Sequence, residues 1–415
     1  MLIKHFIGST PNLGDTAIAA ATRKLLLQMF PGSSILTLRV NKGYYNAGNH
    51  FYDFPSISPE QDALSGMNSL TASLGGKPDL IVIGGGPLWG SAEHTRFQKN
   101  PGYTDETPVM FLGVGTRSDL SHPTGPNADD LAAFHAWIDE VGGSRFTPSS
   151  ARDQATSTEM DSHGIRTYMT GCPVLHYVGE DIQRRDSDYF LITYRHVLGI
   201  DPMLRDRAST WLRKTDTQRM FPFKMVARSK RPLRRMMASL PFTSQFHANP
   251  TINKRIDPTV VLNFDLIKRL EDALGAKHVV MVHDYRDVST LSEVAQGNHL
   301  NFVFHYDLES ATSIYRHAKF VLTYRLHGEL LAATTGTPFF HAMIDRRGGD
   351  HATTFDPQMR HHEWIKNLSG STILQRVRSS AADPDDGFAE YNANVETARM
   401  RLNEFRDDAR RSLGI

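Results

Sequence analysis

Short apolar runs alternate with helix-like segments along most of the chain. Runs rich in Val, Ile and Phe lie at 79–83 and 109–114, and again at 279–282 and 320–323. Such runs are typical of strands that are buried on both faces of a parallel sheet. A polar stretch around residue 185 separates the two series. The sequence therefore predicts an α/β protein with two Rossmann-like domains.

The length of the chain supports this division, because 415 residues exceed what one hydrophobic core usually organises. We predict an N-terminal domain over 1–184 and a C-terminal domain over 185–375. The second domain carries an insertion at 201–258, and 376–415 is predicted to form a linker and a terminal helix.

The composition argues against several classes of protein. The net charge is +1, so no nucleic-acid partner is predicted. A single Cys excludes an internal disulfide framework and indicates a reducing compartment. The sequence shows no apolar run long enough for a transmembrane helix, and the apolar N-terminal stretch is too short for a signal peptide. We expect a cytoplasmic protein.

Two functional candidates stand between a predicted strand and a predicted helix. Phe320–Thr323 is apolar and β-prone, and Gly328–Thr335 is helical in character. Arg325 and His327 lie between them, at the carboxyl end of the strand and beside the helix N-terminus. Ligands of open α/β sheets bind at this end of the strands, and helix N-termini favour anions. The turn therefore predicts an anion-binding site.

Several short motifs precede this turn. They are Pro11-Asn12-Leu13-Gly14-Asp15, Gly84-Gly85-Gly86, Phe111–Gly115, Ser150-Ala151-Arg152-Asp153 and Gly171-Cys172-Pro173-Val174. With Arg325-Leu326-His327 following in the same order, the set resembles the polysaccharide pyruvyl transferase family over roughly residues 3–345.

This resemblance implies both a fold and a reaction. The fold is glycosyltransferase-B-like, with an acceptor-side first domain and a donor-side second domain facing a cleft, and a terminal helix that crosses it. The reaction moves pyruvate from phosphoenolpyruvate onto sugar hydroxyls of a surface polysaccharide or its lipid-linked precursor, forming a ketal. Phosphoenolpyruvate is the donor substrate, and no separate cofactor is implied.

The implied donor carries a carboxylate and a phosphate, so it needs fixed cations, which Arg supplies with bidentate geometry. Arg325 is the first predicted clamp and Arg195, at an earlier strand end, is the second, with Leu326 also expected to contact substrate. His327 is the candidate general acid, because the pKa of His lies near neutrality. It could instead hold the phosphate, and the sequence leaves both roles open.

Residues of the first domain complete the predicted site. Asp15 is the candidate base for the acceptor hydroxyl, although a helix N-cap would use the same carboxylate. We interpret the glycine segment at 84–86 as a turn. Further substrate contacts are expected from the Asp15 loop, this glycine segment and a strand end of the second domain: Asn12, Gly14, Gly85, Gly86 and His283.

The insertion is basic, with eleven Lys or Arg and two Asp between 205 and 235, and aromatic residues and Met are interleaved. Such a segment can lie on an anionic membrane surface, bind a polyanion or form a solvated loop. A peripheral membrane contact is therefore one expectation.

No metal site is predicted. His351 and His361-His362 lack the helical spacing of metal ligands, and the sequence contains no HExxH or CxxC motif.

Two other functions remain open at this stage. A glycosyltransferase with a nucleotide-sugar donor would share the cleft and could use the same Arg and His on a diphosphate. A non-catalytic module would have the same fold but would only bind a glycan or a membrane. Arg325 and His327 favour an enzyme over such a module.

Overall fold

The computed structural model describes the residues that build both predicted domains. These are 1–9, 13–41, 56–57, 77–89, 106–116, 143–177, 187–194, 264–284, 301–304, 308–384 and 387–415, with positions 132, 135–136 and 138–139. Asn12, Arg195 and the insertion at 201–258 lie outside the described residues.

The first domain is built on a parallel sheet. Within the described residues its seven strands follow the order β3-β2-β1-β4-β5-β6-β7. The strands are β1 Leu2–Ser9, β2 Ser34–Asn41, β3 Ser56–Ile57, β4 Leu80–Trp89, β5 Val109–Thr116, β6 Ser149–Ala151 and β7 Thr167–Met169. The described helices of this domain are α1 Leu13–Met29 and α2 Gln154–Ser162.

The second domain repeats this architecture. Its sheet has six described parallel strands in the order β10-β9-β8-β11-β12-β13. The strands are β8 Tyr189–Tyr194, β9 Lys277–Val282, β10 Phe302–Phe304, β11 Val321–Thr323, β12 Phe339–Met343 and β13 His362–Trp364. The helices are α3 Phe264–Leu274, α4 Leu308–His317, α5 Leu326–Thr334, α6 Arg346–Phe355 and α7 Gly370–Ala382.

The two domains share one hydrophobic cluster. Ala17 and Ile18 of α1 belong to it, as do Leu326 and Leu330 of α5. All four side chains are buried, which removes apolar surface of both domains from water at their junction. The start of α1 therefore lies against the start of α5.

The last helix, α8 Ala389–Ser412, crosses from the second domain to the first. Near its beginning Tyr391 packs in the shared cluster, whereas Leu402 and Phe405 pack in the core of the first domain. The hydroxyl of Tyr168 on β7 also donates a hydrogen bond to Asp408 Oδ2 at 2.9 Å. The predicted fold class, with two Rossmann-like domains and a crossing terminal helix, is confirmed.

The predicted linker from 376 was placed wrongly at its start. Helix α7 runs to Ala382, and the Ser369 side chain caps it by accepting a hydrogen bond from Thr372 N at 3.2 Å. Ile373 and Val377 are fully buried in the core that α3 also joins. Their spacing of four residues places them on one helix face, so packing overrides the polar composition of the segment.

None of the helices in the described ranges is both long enough and apolar enough to span a lipid bilayer.

Candidate functional site

The candidate site is formed where several strands end. Arg152 follows β6, His283 follows β9, Arg325 lies two residues after β11, and Asp345 lies two residues after β12. The carboxyl ends of parallel strands share one edge of a sheet, and ligands of α/β proteins bind there. Two of these four residues, His283 and Arg325, were predicted from the sequence as site residues.

The turn that carries Arg325 is fixed by hydroxyl groups on two neighbouring strands. Arg325 N donates to Thr323 Oγ1 at 3.0 Å, and the same hydroxyl donates to Arg325 O at 2.8 Å. Thr193 Oγ1 of β8 lies 2.7 Å from Thr323 Oγ1 and accepts from Tyr324 N at 3.1 Å. These bonds are buried or part-buried, so the backbone of the turn is held in one conformation.

Gly328 allows α5 to begin directly on these strand ends. A β-carbon at this position would overlap the Thr323 hydroxyl and would lie 2.9 Å from Thr193 Cγ2. Both threonines are fully buried and cannot move aside easily. The glycine therefore lets the first turn of α5, with His327, approach the sheet closely.

The first domain reaches this turn through the start of α1. Leu13 N donates a hydrogen bond to His283 O at 2.6 Å. The next residue, Gly14, faces the imidazole of His327, and a β-carbon there would lie within 2.6 Å of His327 Cγ. The structure thus brings together Gly14, His283 and His327, all three predicted as site residues, although they come from both domains.

His327 is a neutral imidazole among guanidinium groups. Its side chain is 9% exposed, and Nε2 has no hydrogen-bond partner among the residues that the structure describes. Burial, and then the charges of Arg347, Arg152 and Arg325, lower the pKa of His327 to about 3, while Asp345 acts in the opposite direction. A buried nitrogen without a partner beside three cations is suited to a ligand that carries negative charge.

Arg347 lies at the site but was not predicted from the sequence. Asp345 caps α6 by accepting from Arg347 N at 3.1 Å, and its Oδ2 lies 2.6 Å from Arg347 Nη2. Burial opposes the charge of Arg347, but Asp345 and then Asp15 raise its pKa. Asp15 of the first domain therefore lies close enough to interact with the charge of Arg347. The sequence signal that could have identified Arg347 is the Asp two residues before it, shortly after a predicted strand.

Arg152 is the second missed cation. Its side chain is 1% exposed, and Nε lies 3.5 Å from Asp153 Oδ2. A β-carbon at Gly115 would overlap its guanidinium, so the glycine of β5 makes room for the side chain. A charge buried to this degree is costly unless it is compensated, which marks Arg152 as a residue with a specific role.

His283 is buried beside the same group of charges. Its Nε2 lies 2.7 Å from the hydroxyl of Tyr315. Burial, followed by the charges of Arg325 and His327, lowers the pKa of His283 well below its ordinary value. The ring is therefore neutral, and its backbone oxygen connects the second domain to α1.

The glycine segment at 84–86 is not a turn. β4 continues through it, with Gly84 paired to Leu112 and Gly86 paired to Val114 of β5. Gly85 has φ +59, and a β-carbon there would overlap the side chain of Ile18. Gly85 is thus explained by the close packing of α1 on the sheet, and a substrate contact by Gly85 or Gly86 stays a prediction.

The architecture and the site together define a class of protein. Two parallel-sheet domains of a glycosyltransferase-B-like fold meet at a junction where the charges of three arginines act on one buried histidine. A sequence profile of the polysaccharide pyruvyl transferase family matches residues 12–345. The chain belongs to this family.

Solved structures share the fold at low sequence identity. The UDP-GlcNAc 2-epimerase of Methanocaldococcus jannaschii, in complex with UDP-GlcNAc and UDP, is 11% identical with a TM-score of 0.50, covering 96% of this chain and 99% of that one. MnaA of S. aureus in complex with UDP is 13% identical (TM-score 0.49, covering 95% and 91%), and MurG of Acinetobacter baumannii is 10% identical (TM-score 0.41, covering 98% of each chain). The likeness to the epimerase shows the fold alone. No curated protein matches the sequence.

Proposed function

We propose that the protein transfers a pyruvyl group from phosphoenolpyruvate to two hydroxyls of one sugar in a surface polysaccharide or its lipid-linked precursor. Membership of the polysaccharide pyruvyl transferase family supports a transferase of this kind. The observation that carries the proposal is the position of His327, buried at the domain junction among three arginine side chains.

The donor would be bound by charge. Phosphoenolpyruvate presents a carboxylate and a phosphate, and guanidinium groups bind both with directed, charge-assisted hydrogen bonds. Arg325, Arg347 and Arg152 all act electrostatically on one imidazole, so their charges converge on one small region. Arg195, the second clamp expected from the sequence, lies outside the described residues.

The reaction would begin with protonation of the donor. The electron pair of the donor's double bond takes a proton at the methylene carbon, which becomes a methyl group, and C2 becomes cation-like. A sugar hydroxyl forms a bond to C2 and gives its proton to a base. The C2–O bond to phosphate then breaks, the second hydroxyl attacks C2 with loss of its own proton, and the cyclic ketal is complete.

His327 is the proposed donor of the first proton. Its position at the junction and its buried Nε2, which has no hydrogen-bond partner in the described part of the chain, support this role. The low pKa of His327 belongs to the ligand-free protein, where burial and then the arginines oppose a positive charge on the ring. The negative charges of phosphoenolpyruvate would offset these arginines and so admit a proton on the ring.

Asp15 is the proposed base for the acceptor hydroxyl. It lies in the first turn of α1, next to Gly14, whose Cα faces the His327 ring. An acid on the second domain and a base on the first would thus face each other across the junction. This arrangement suits an addition in which one group gives a proton and the other removes one.

A transfer assay tests the proposal. The protein is incubated with phosphoenolpyruvate labelled with ¹³C at C2 and with lipid-linked oligosaccharides, and released phosphate and labelled glycan are measured together. We expect equal amounts of both, and strong loss of both in Arg325→Ala. Exposed Arg378 on α7 provides a matched control, Arg378→Ala, that keeps the wild-type rate. Sugar transfer from a nucleotide sugar, with none from phosphoenolpyruvate, would contradict the proposal.

A further inference from the structure

A second group of ionisable side chains lies between α5 and the strands β12 and β13. His341 of β12 and His362 of β13 are direct partners in the parallel register, so their rings stand side by side. Glu329 of α5 covers them. Its Oε2 lies 2.7 Å from His341 Nδ1, and its Oε1 lies 2.9 Å from His362 Nε2. All three side chains are at most 2% exposed.

Further polar groups surround this core. His351 Nε2 of α6 lies 2.9 Å from Glu329 Oε1, and the hydroxyl of Tyr391 donates to the same oxygen at 3.1 Å. Asp356 Oδ2 lies 2.7 Å from His362 Nδ1. A carboxylate behind the second nitrogen of an imidazole is the usual arrangement around a metal-bound histidine, because it fixes the tautomer and orients the ring.

The hydrogen bonding of the His362 ring adds a second observation. Its Nε2 is buried and close to Glu329 Oε1 but is not aligned for a hydrogen bond, and it has no hydrogen-bond partner elsewhere among the described residues. A fully buried nitrogen usually has a partner. With Nδ1 occupied by Asp356, Nε2 is the atom left to bind something within the cluster.

The charge count points the same way. Glu329 and Asp356 place two carboxylates in a buried region, and in the described part of the chain their side-chain ion pairs are made with imidazoles alone. The rings of His341 and His362 are 5.7 Å apart, so their nitrogens and the Glu329 carboxylate surround one small region. A divalent cation in that region would balance both carboxylates.

We propose that Glu329, His341 and His362 bind a divalent transition-metal ion, with Asp356 orienting His362. Two imidazole nitrogens and one carboxylate oxygen form a ligand set that favours zinc. The candidate ligand atoms of these three residues lie within 4.8 Å of one another. The ion would tie α5 to β12 and β13. Because α5 begins with the turn that holds Arg325 and His327, the ion would also fix that turn.

No metal was expected from the sequence, because the histidines lack helical spacing. The ligands proposed here come from two neighbouring strands and a helix, so their spacing along the chain carries no signal. This inference concerns binding and stability and does not depend on the proposed reaction.

Metal content tests the proposal directly. The wild-type protein is purified without metal-affinity chromatography or chelators, and zinc is measured by inductively coupled plasma mass spectrometry. We expect about one zinc ion per chain, and X-ray absorption with nitrogen and oxygen neighbours at about 2.0–2.1 Å. His341→Gln and His362→Gln each remove a ligand, so the zinc affinity of each variant should fall by at least the roughly 10- to 100-fold that loss of an outer-shell partner costs.

Two control variants separate this site from other histidines. His163 belongs to a half-buried group with His135 and Glu159 that also brings three possible ligands together. His278 forms a 3.0 Å pair with Glu271 in the second domain. His163→Gln and His278→Gln should keep the zinc. Loss of zinc in His163→Gln alone would assign the ion to the other group and overturn the proposal.

The wild-type protein gives a readout that does not depend on the folding of a variant. Removal of zinc with a chelator should lower the thermal unfolding midpoint, and added Zn²⁺ should restore it. A wild-type protein that contains no metal, binds none when refolded with Zn²⁺ or Co²⁺, and unfolds at the same temperature with and without chelator would overturn the proposal. The cluster would then be a hydrogen-bonded network.

Discussion

Gly14 and His327 meet across the junction of the two domains, with the Cα of the glycine facing the imidazole ring. A β-carbon at position 14 would lie within 2.6 Å of His327 Cγ, which is closer than atoms can approach without displacement. The backbone of the first domain therefore determines where the imidazole of the second domain lies.

Gly14→Ala is expected to move His327 and to destabilise the protein. Overpacking of a buried contact costs about 1–3 kcal/mol, so the free energy of unfolding should fall by about that amount. Gly143→Ala is a matched control, because a β-carbon at position 143 has open space around it, and its effect should stay within about 0.5 kcal/mol. Chemical denaturation of both variants measures the difference. Equal stability of both would show that the ring moves aside freely.

Arg325→Ala is expected to weaken donor binding severely. Removing a charge-assisted contact to a buried anion costs roughly 2–5 kcal/mol, or about 30-fold to several-thousand-fold in affinity. The dissociation constant for phosphoenolpyruvate, measured for the wild type and for both Arg325→Ala and Arg378→Ala, checks this. An affinity unchanged in Arg325→Ala would exclude this residue from the donor site.

His327→Gln should behave differently if the imidazole donates the proton. Donor binding should then stay within several-fold of the wild type, while turnover falls by about two to four decades, the usual contribution of a positioned acid. Binding and turnover are measured on the same variant. Unchanged turnover would remove His327 from the mechanism, and equal losses in both quantities would make it a ligand of the donor anion.

A buried histidine of the first domain predicts how stability depends on pH. His5 of β1 is fully buried, and burial, the largest cause, lowers its pKa to about 3 from the ordinary value of 6.5. The unfolded chain therefore binds this proton more readily, and protonation between pH 6.5 and about 3 favours unfolding. The free energy of unfolding should fall as the pH falls through this range.

His5→Gln removes the titrating group and should flatten this dependence. The difference in slope between wild type and variant, integrated over the range, should amount to roughly 3–5 kcal/mol. Urea denaturation at several pH values measures it, and the comparison cancels the contribution of carboxylates that titrate in both proteins. Parallel curves for the two proteins would contradict the burial of a neutral His5.

The sequence predicted the elements whose patterns are local. The apolar runs at 79–83, 109–114, 279–282 and 320–323 fall on β4, β5, β9 and β11. Arg325 was placed correctly after β11, although α5 begins at Leu326, two residues earlier than predicted. Arg347 and Arg152 were not selected, because their approach to His327 depends on how distant strands end along a common edge. The glycine segment at 84–86 was misread for the same reason, because its packing partner is distant in sequence. The close approach of Ile18, and not a turn, requires glycine at position 85.

Titration calorimetry with phosphoenolpyruvate tests whether the cations around His327 form the donor site of a pyruvyl transferase. We predict that wild type binds phosphoenolpyruvate, that UDP competes weakly or not at all, and that Arg325→Ala abolishes the measurable heat. Tight binding of UDP or a UDP-sugar at this site, with no binding of phosphoenolpyruvate, would contradict the account.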